Sequence, residues 1–169
     1  GELGEIMLFR GTYDQDVMAD PAVPFNWRHD AALAGTGALG DMASHVLSVA
    51  KFLVGDIAEV CAAMATLIER RPVAGSGTGR TARAAAGGAM RQVENDDMTH
   101  LLARFETGAM AAIGSSRIGT GRKHGLTIEI QGTKGAIWFT LERRNELTLY
   151  RHTDPPAERG YKLIPPNPG

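Results

Sequence analysis

Asp41 and His45 are the two side chains in this 169-residue sequence whose types and spacing best suit proton chemistry. They stand four residues apart at the start of an apolar repeat, which puts both on one face of a predicted helix. An imidazole titrates near neutral pH, and a neighbouring carboxylate fixes its tautomer and favours its charged form. That combination suits general acid–base catalysis. Each residue also has a plainer reading. Asp41 alone serves as an N-cap or as an anion facing the helix dipole, and His45 alone serves as a hydrogen-bonded interior histidine. No third ligand lies close to them in sequence, so a metal is not expected.

The helix that must carry the pair is predicted over residues 41–54. Met42, Val46, Val49, Ala50 and Leu53 recur at helical spacing, and Gly55 supplies a stop. Asp41 and His45 flank that stripe. Before the helix, residues 5–13 read as a strand. Residues 14–36 then form an extended polar and aromatic loop holding Gln15, Pro21, Pro24, Trp27 and Arg28. Loops of that length concentrate binding residues. After the helix, Ile57 to Ile68 reads as a strand, and residues 70–95 as a mobile excursion rich in glycine and alanine. Its arginines (Arg70, Arg71, Arg80, Arg83 and Arg91) are expected to be solvated, with a phosphate grip as the alternative. From Asp97 onward the pattern is strands and tight turns. Met98–Phe105 and Ala109–Ser116 flank Glu106-Thr107-Gly108; Leu126–Gln131 and Ala136–Leu141 flank Gly132-Thr133-Lys134-Gly135; Glu146–Arg151 follows. The expected fold is α+β: an open, mostly antiparallel sheet with a few helices on one face. Few helices cannot cover both faces, so one face should stay apolar or pair with another copy of the chain.

Bulk composition narrows the partners. Eighteen Lys and Arg against nineteen Asp and Glu leave a net charge of −1, which gives no basic excess for a nucleic-acid backbone. Cys61 is the sole cysteine, so an internal disulfide is ruled out and a reducing cytoplasm is the expected compartment. No apolar run approaches a membrane span. Both ends read as cuts, and a fragment of a longer protein is expected.

Gly35-Thr36-Gly37-Ala38-Leu39-Gly40 spells the GxGxxG of dinucleotide-binding turns. Two features argue against that role. Trp27 to Ala34 offers no central strand, and Asp41 would place an anion where phosphates lie. The sequence is read instead as a turn that lets backbone approach a ligand.

The glycine-rich turn followed by Asp41, three residues and His45 resembles the C-terminal domain of the glucose–fructose oxidoreductase/inositol dehydrogenase (Gfo/Idh/MocA) family. So do the preceding Trp27-Arg28 and Tyr13-Asp14-Gln15, the later Val93-Glu94-Asn95-Asp96-Asp97, Arg104-Phe105-Glu106-Thr107-Gly108-Ala109, and Ile128 to Gly135. The resemblance implies one substrate-binding and oligomerisation domain over residues 1–169, from a two-domain dehydrogenase whose N-terminal Rossmann domain binds NAD or NADP. It implies oxidation of a cyclic sugar or polyol, with His45 taking the hydroxyl proton or joining its relay and Asp41 orienting it or holding a neighbouring hydroxyl. It further implies Arg28 and Gln15 as sugar contacts and a homo-oligomer through the open sheet. Arg28 and Gln15 could equally serve local structure. Trp27 is either a packing anchor or a sugar platform. His29, His100, His124 and His152 receive no role. The family's proton-transfer lysine lies in a Glu-Lys-Pro motif that none of Lys51, Lys123, Lys134 or Lys162 occupies, so turnover is not expected of this chain alone. A non-catalytic binding or assembly module with the same fold is the second reading, and a metal-dependent hydrolase lacks its ligand clusters.

Overall fold

Alternation of apolar and polar residues builds the sheet strand by strand. A computed structural model of the chain describes residues 1–76, 83–84 and 87–165. In chain order the strands are β1 (Ile6–Asp14), β2 (Ile57–Ala65), β3 (Arg70–Pro72), β4 (Ala74–Ser76), β5 (Arg83–Ala84), β6 (Met90–Gln92), β7 (Met98–Phe105), β8 (Met110–Ser116), β9 (Gly125–Gly132), β10 (Gly135–Thr140), β11 (Leu147–Arg151) and β12 (Lys162–Ile164). Eight of them form one sheet in the order β12-β11-β10-β9-β1-β8-β7-β2, while β3 pairs with β6 and β4 with β5. Within the large sheet β1 runs parallel to β8 and antiparallel to β9, and the other neighbours are antiparallel. The expected α+β class and mostly antiparallel open sheet are therefore what the chain forms.

Two α-helical segments lie within the connection between β1 and β2: α1 (Ala31–Ala34), a single turn, and α2 (Ser44–Leu53). Strand β7 shows how one face is chosen. Thr99, Leu101, Ala103 and Phe105 point inward and are buried, while His100, Leu102 and Arg104 point outward and are exposed. Phe9, Ala111, Ile113, Ile128 and Ile130 join the inward set, and Val46 and Ala50 of α2 pack onto it. Each large side chain buried this way contributes about 1.5–3 kcal/mol. Gly11 on β1 is what lets the helix sit close, because a Cβ there would strike Val46 and the Phe9 ring.

Among the described residues no helix covers the opposite face. It presents Leu102 (63% exposed), Met110 and Trp138. A shallow groove of about 430 Å³ lies there between Arg10, Thr12, Cys61, His100, Leu102 and Ala112. No helix among the described residues is long and apolar enough to cross a membrane.

Two local expectations need correction. The helix does not start as an α-helix at Asp41. A turn of π-helix over Leu39–Ala43 leads into α2, and the Ser44 N–H bonds to the Leu39 carbonyl five residues back. Arg71 is not solvated: it is fully buried, and its guanidinium donates to the carbonyls of Met18 (2.6 Å), Asp20 (2.9 Å) and Val23 (3.3 Å). A buried Arg needs several acceptors, and a loop that doubles back supplies backbone oxygens in number. Around it, β3 and β6 give ordered strand pairing inside the stretch expected to be a mobile excursion. Arg91 pairs with Asp30 at 2.7 Å and covers the Phe25 ring, and Arg70 donates to the Met90 carbonyl. Gly77-Thr78-Gly79, Arg80 and the end of the tail (166–169) fall outside the described residues, as does the Arg83 side chain.

Candidate active site

Three segments meet at one end of the sheet: the end of β1, the loop from Gln15 to Asp30, and the turn that opens the helix. The loop is fixed first. Asn26 caps a short 3-10 turn (Trp27–His29) by accepting from the Arg28 N–H at 3.0 Å, and His29 Nδ1 accepts from the Asn26 N–H at 3.0 Å. This is a capping box with an imidazole in the place of the usual carboxylate. Burial, reinforced by the Arg117 and Arg71 guanidiniums, pushes the His29 pKa from 6.5 down to about 4. The ring is thus neutral and able to accept at Nδ1. Its consequence for stability has a definite sign. The unfolded chain binds a proton between pH 6.5 and about 4 that the fold refuses, so this stabilisation is complete above 6.5 and is lost as pH falls toward 4. Urea titrations across that window should show a loss of about 3 kcal/mol that a His29→Asn variant lacks. Equal acid slopes in the two proteins would remove His29 from the account.

The glycine turn is fixed next, by Asp96. Its carboxylate accepts from the Gly37 N–H at 2.6 Å, the Leu39 N–H at 2.8 Å and the Thr99 hydroxyl at 2.9 Å. The Ala38 N–H donates to the Asp96 carbonyl at 3.0 Å. Gly37 must be glycine because a Cβ would run into the Asp96 backbone. The amides that a dinucleotide turn would offer to a pyrophosphate are engaged here by a protein carboxylate. Asp97, the next residue, accepts from the Leu67 and Ile68 amides and from Arg117 Nε at 2.9 Å. Arg117 in turn donates to the Arg28 carbonyl (2.9 Å) and to Asn95 Oδ1 (3.0 Å), and Asn95 Nδ2 donates to the same Arg28 carbonyl (2.8 Å). Asn95, Asp96, Asp97 and Arg117 are buried. They form the rigid floor that sets where Arg28 and Asp41 stand. None of the four was expected to support the site.

On that floor the predicted residues fall into two adjoining groups. Arg28 Nε lies 3.5 Å from Asp41 Oδ2, and the Arg28 guanidinium covers the Trp27 ring at 4.4 Å. Trp27 is 53% exposed, so its indole is not buried in the core. With Thr36, Gly40 and Arg117 these three line a small cavity of about 150 Å³. Both partners of the Arg28–Asp41 pair are half exposed, and such a pair contributes at most about 1 kcal/mol to stability. Its larger effect is to hold two polar groups in a fixed relation. One helical turn further, His45 is exposed and packs against Tyr13 in a T-shaped contact, with ring centroids 5.7 Å apart. Gln15 Nε2 donates to the Tyr13 hydroxyl at 2.8 Å and stands 3.3 Å from His124 Nδ1. Among the described residues, then, Asp41 pairs with Arg28, and His45 packs on Tyr13; the two are neighbours on the helix, each with its own partner. No group of three or more His, Cys, Asp or Glu among the described residues could hold a metal ion.

The chain belongs to the GFO/IDH/MocA family: residues 1–138 match the model of its C-terminal domain. It is 39% identical over 165 residues to levoglucosan dehydrogenase from Pseudarthrobacter phenanthrenivorans, covering 97% of this chain and 42% of the relative. An NAD binding oxidoreductase from Klebsiella pneumoniae superposes with a TM-score of 0.87 at 42% identity, covering 97% of this chain and 40% of the other. Levoglucosan dehydrogenase in complex with NADH and levoglucosan gives a TM-score of 0.87 at 38% identity, covering 99% and 41%. The chain thus spans about two fifths of the length of these relatives.

Proposed function

We propose that this chain forms the substrate-binding and proton-transfer wall of an NAD-dependent dehydrogenase acting on a hydroxyl of a cyclic sugar or polyol. The observation that carries the reading is the Arg28–Asp41 pair lining a small open cavity over a buried polar floor, with His45 packed on Tyr13 one helical turn away. Similarity to an enzyme solved with NADH and levoglucosan supports it. The nicotinamide, when bound, supplies the hydride acceptor. The described residues of this chain offer it no pyrophosphate cradle, because the glycine turn is engaged by Asp96, and its holding is assigned to a separate nucleotide-binding domain. The choice between NAD and NADP lies in that domain; NAD is favoured by the relatives.

In this reading His45 accepts the proton of the hydroxyl being oxidised. It is exposed, and its ring packs against Tyr13 in a T-shaped contact. Asp41, held by Arg28, accepts a hydrogen bond from a neighbouring hydroxyl. The Arg28 fork donates to a second oxygen, and Trp27 presents an apolar face to the ring carbons. A cyclic polyol offers that combination of vicinal hydroxyls and apolar ring edge. Polyol-dependent reduction of NAD by the complete enzyme tests the reading.

The uncovered sheet face is assigned to self-association. A second copy of the chain would bury Leu102, Met110 and Trp138 by isologous pairing. Light scattering should report a dimer or larger assembly, and Leu102→Lys should lower its mass; a strictly monomeric wild type at tens of micromolar contradicts the assignment.

A further inference from the structure

The two edges of the eight-stranded sheet are finished differently. At one edge β12 is three residues long, carries Lys162 paired to Asp154 at 3.0 Å, and runs into Pro165. Short length, a lysine and a proline are the usual protections of a strand that stays unpaired. At the other edge β2 runs for nine residues and holds no glycine, proline or lysine. Residues 58–64 are all exposed. Val60, Ala62 and Met64 stand opposite Ala103, Leu101 and Thr99, on the side where those residues are buried. Yet Val60 is 61% and Met64 58% exposed. Glu59 is the one charged residue of the strand, and its carboxylate pairs with Arg104 at 2.9 Å.

Alternate residues of an edge strand turn their N–H and C=O groups away from the sheet, so the chemistry that completes this edge is another extended strand. The residues of β2 specify which one. A bulge at Ala58 interrupts the ladder with β7 and leaves Glu59–Ala65 as a regular run, with Ala62 at its midpoint. Antiparallel pairing of that run with itself, about a twofold axis at Ala62, sets Ala62 against Ala62 of the partner subunit. Val60 then faces Met64 of the partner subunit, twice by symmetry, so the bare apolar side chains cover each other. Cys61 faces a second small residue, Ala63 of the partner subunit. Glu59 faces Ala65 of the partner subunit, and the two Glu59 carboxylates stand about 20 Å apart. No like charges meet, and Glu59 keeps Arg104 as its counter-ion.

We infer that β2 is the seat of a second copy of this chain, joined edge to edge so that the two sheets run on as one. This contact lies at the rim of the sheet and uses Val60, Ala62 and Met64. It is separate from the pairing assigned to the uncovered face through Leu102, Met110 and Trp138, and it stands whether or not the dehydrogenase reading holds.

The test uses the complete protein and its mass in solution. Val60→Lys combined with Met64→Lys sets lysine against lysine across the axis and should raise the dissociation constant of this contact by about tenfold or more. Val60→Lys combined with Met64→Glu sets opposite charges in the same register and should restore the association. Within one strand those two positions lie about 13 Å apart, so they do not neutralise each other. Both sites are exposed, so the fold tolerates either pair of changes. Directly opposed residues of an antiparallel pair lie about 4.5–5.5 Å apart at Cα, within disulfide reach. Cys61→Ser combined with Ala62→Cys should therefore oxidise to a disulfide joining position 62 of the two copies, mapped by mass spectrometry. Leu102→Lys, aimed at the face pairing, should leave that cross-link in place, which reads the two contacts apart. Unchanged association in the double-lysine variant, a loss that the Lys/Glu combination does not restore, or no cross-link at position 62 overturns the inference.

Discussion

His45→Ala in the complete enzyme is expected to lower kcat by about a hundredfold to ten-thousandfold, the usual cost of losing a positioned general base, or roughly 3–5 kcal/mol of barrier. The melting temperature should move by only a few degrees. His45 is exposed and packs on the Tyr13 ring, so its removal leaves the core of Phe9, Val46, Ala50 and Phe105 intact. Loss of one partly exposed polar contact costs about 1 kcal/mol. A variant that keeps its activity but melts early would make His45 a structural residue and remove the catalytic assignment.

Arg117→Ala is expected to do the reverse, with a large loss of stability. Arg117 and Asp97 are an ion pair at 2.9 Å, with side chains 4% and 0% exposed. Every strong group of the pair is partnered, by Arg28 O, Asn95 Oδ1 and the Leu67 and Ile68 amides. Removing one member of a buried pair leaves the other charge without its counter-ion, at about 3–5 kcal/mol. For a chain of this length that corresponds to a drop of roughly 6–20 °C in Tm. Arg117→Lys keeps the charge but not the fork, so it should recover only part of the loss. Because Arg117 also holds the Arg28 carbonyl, what activity survives in Arg117→Ala should show a raised KM. A denaturation midpoint indistinguishable from wild type would mean that the floor under Arg28 is held by other contacts.

What could be read from the sequence followed from locality. The hairpins β7–β8 and β9–β10 announce themselves through Glu106-Thr107-Gly108 and Gly132 to Gly135, and Gly108 does adopt a positive φ of 90°. Of the stripe Met42, Val46, Val49, Ala50 and Leu53, the first, second and fourth are buried and Val49 is half-buried, while Leu53 at the end of the helix is exposed; Asp41 and His45 stand on the flank. The parallel pairing of β1 with β8 was not legible, because the whole of residues 15–109 intervenes and no turn signals it. Nor were β3 and β6, whose order depends on Arg71 reaching back to the loop carbonyls.

The floor of the site did have a signal. Asp97 has the inward parity of Thr99, Leu101, Ala103 and Phe105, and Arg117 has that of Ala111, Ile113 and Ser115. Two opposite charges extending the buried faces of adjacent strands predict a buried ion pair. The grip of Asp96 on the glycine turn had no such signal, since it depends on a main-chain approach that only Gly37 permits. The same letters that spell a nucleotide turn are satisfied here by a carboxylate 59 residues further along the chain.

The fate of the substrate hydrogen tests the central claim most directly. A cyclic sugar or polyol carrying deuterium on the carbon to be oxidised is incubated with the complete enzyme and NAD, and the nicotinamide product is weighed by mass spectrometry. The account predicts deuterated NADH from the wild type, one label per ketone formed, and almost none from His45→Ala even where nucleotide binding is unimpaired. Unlabelled NADH from the wild type, or label transfer at the wild-type rate in His45→Ala, would contradict it.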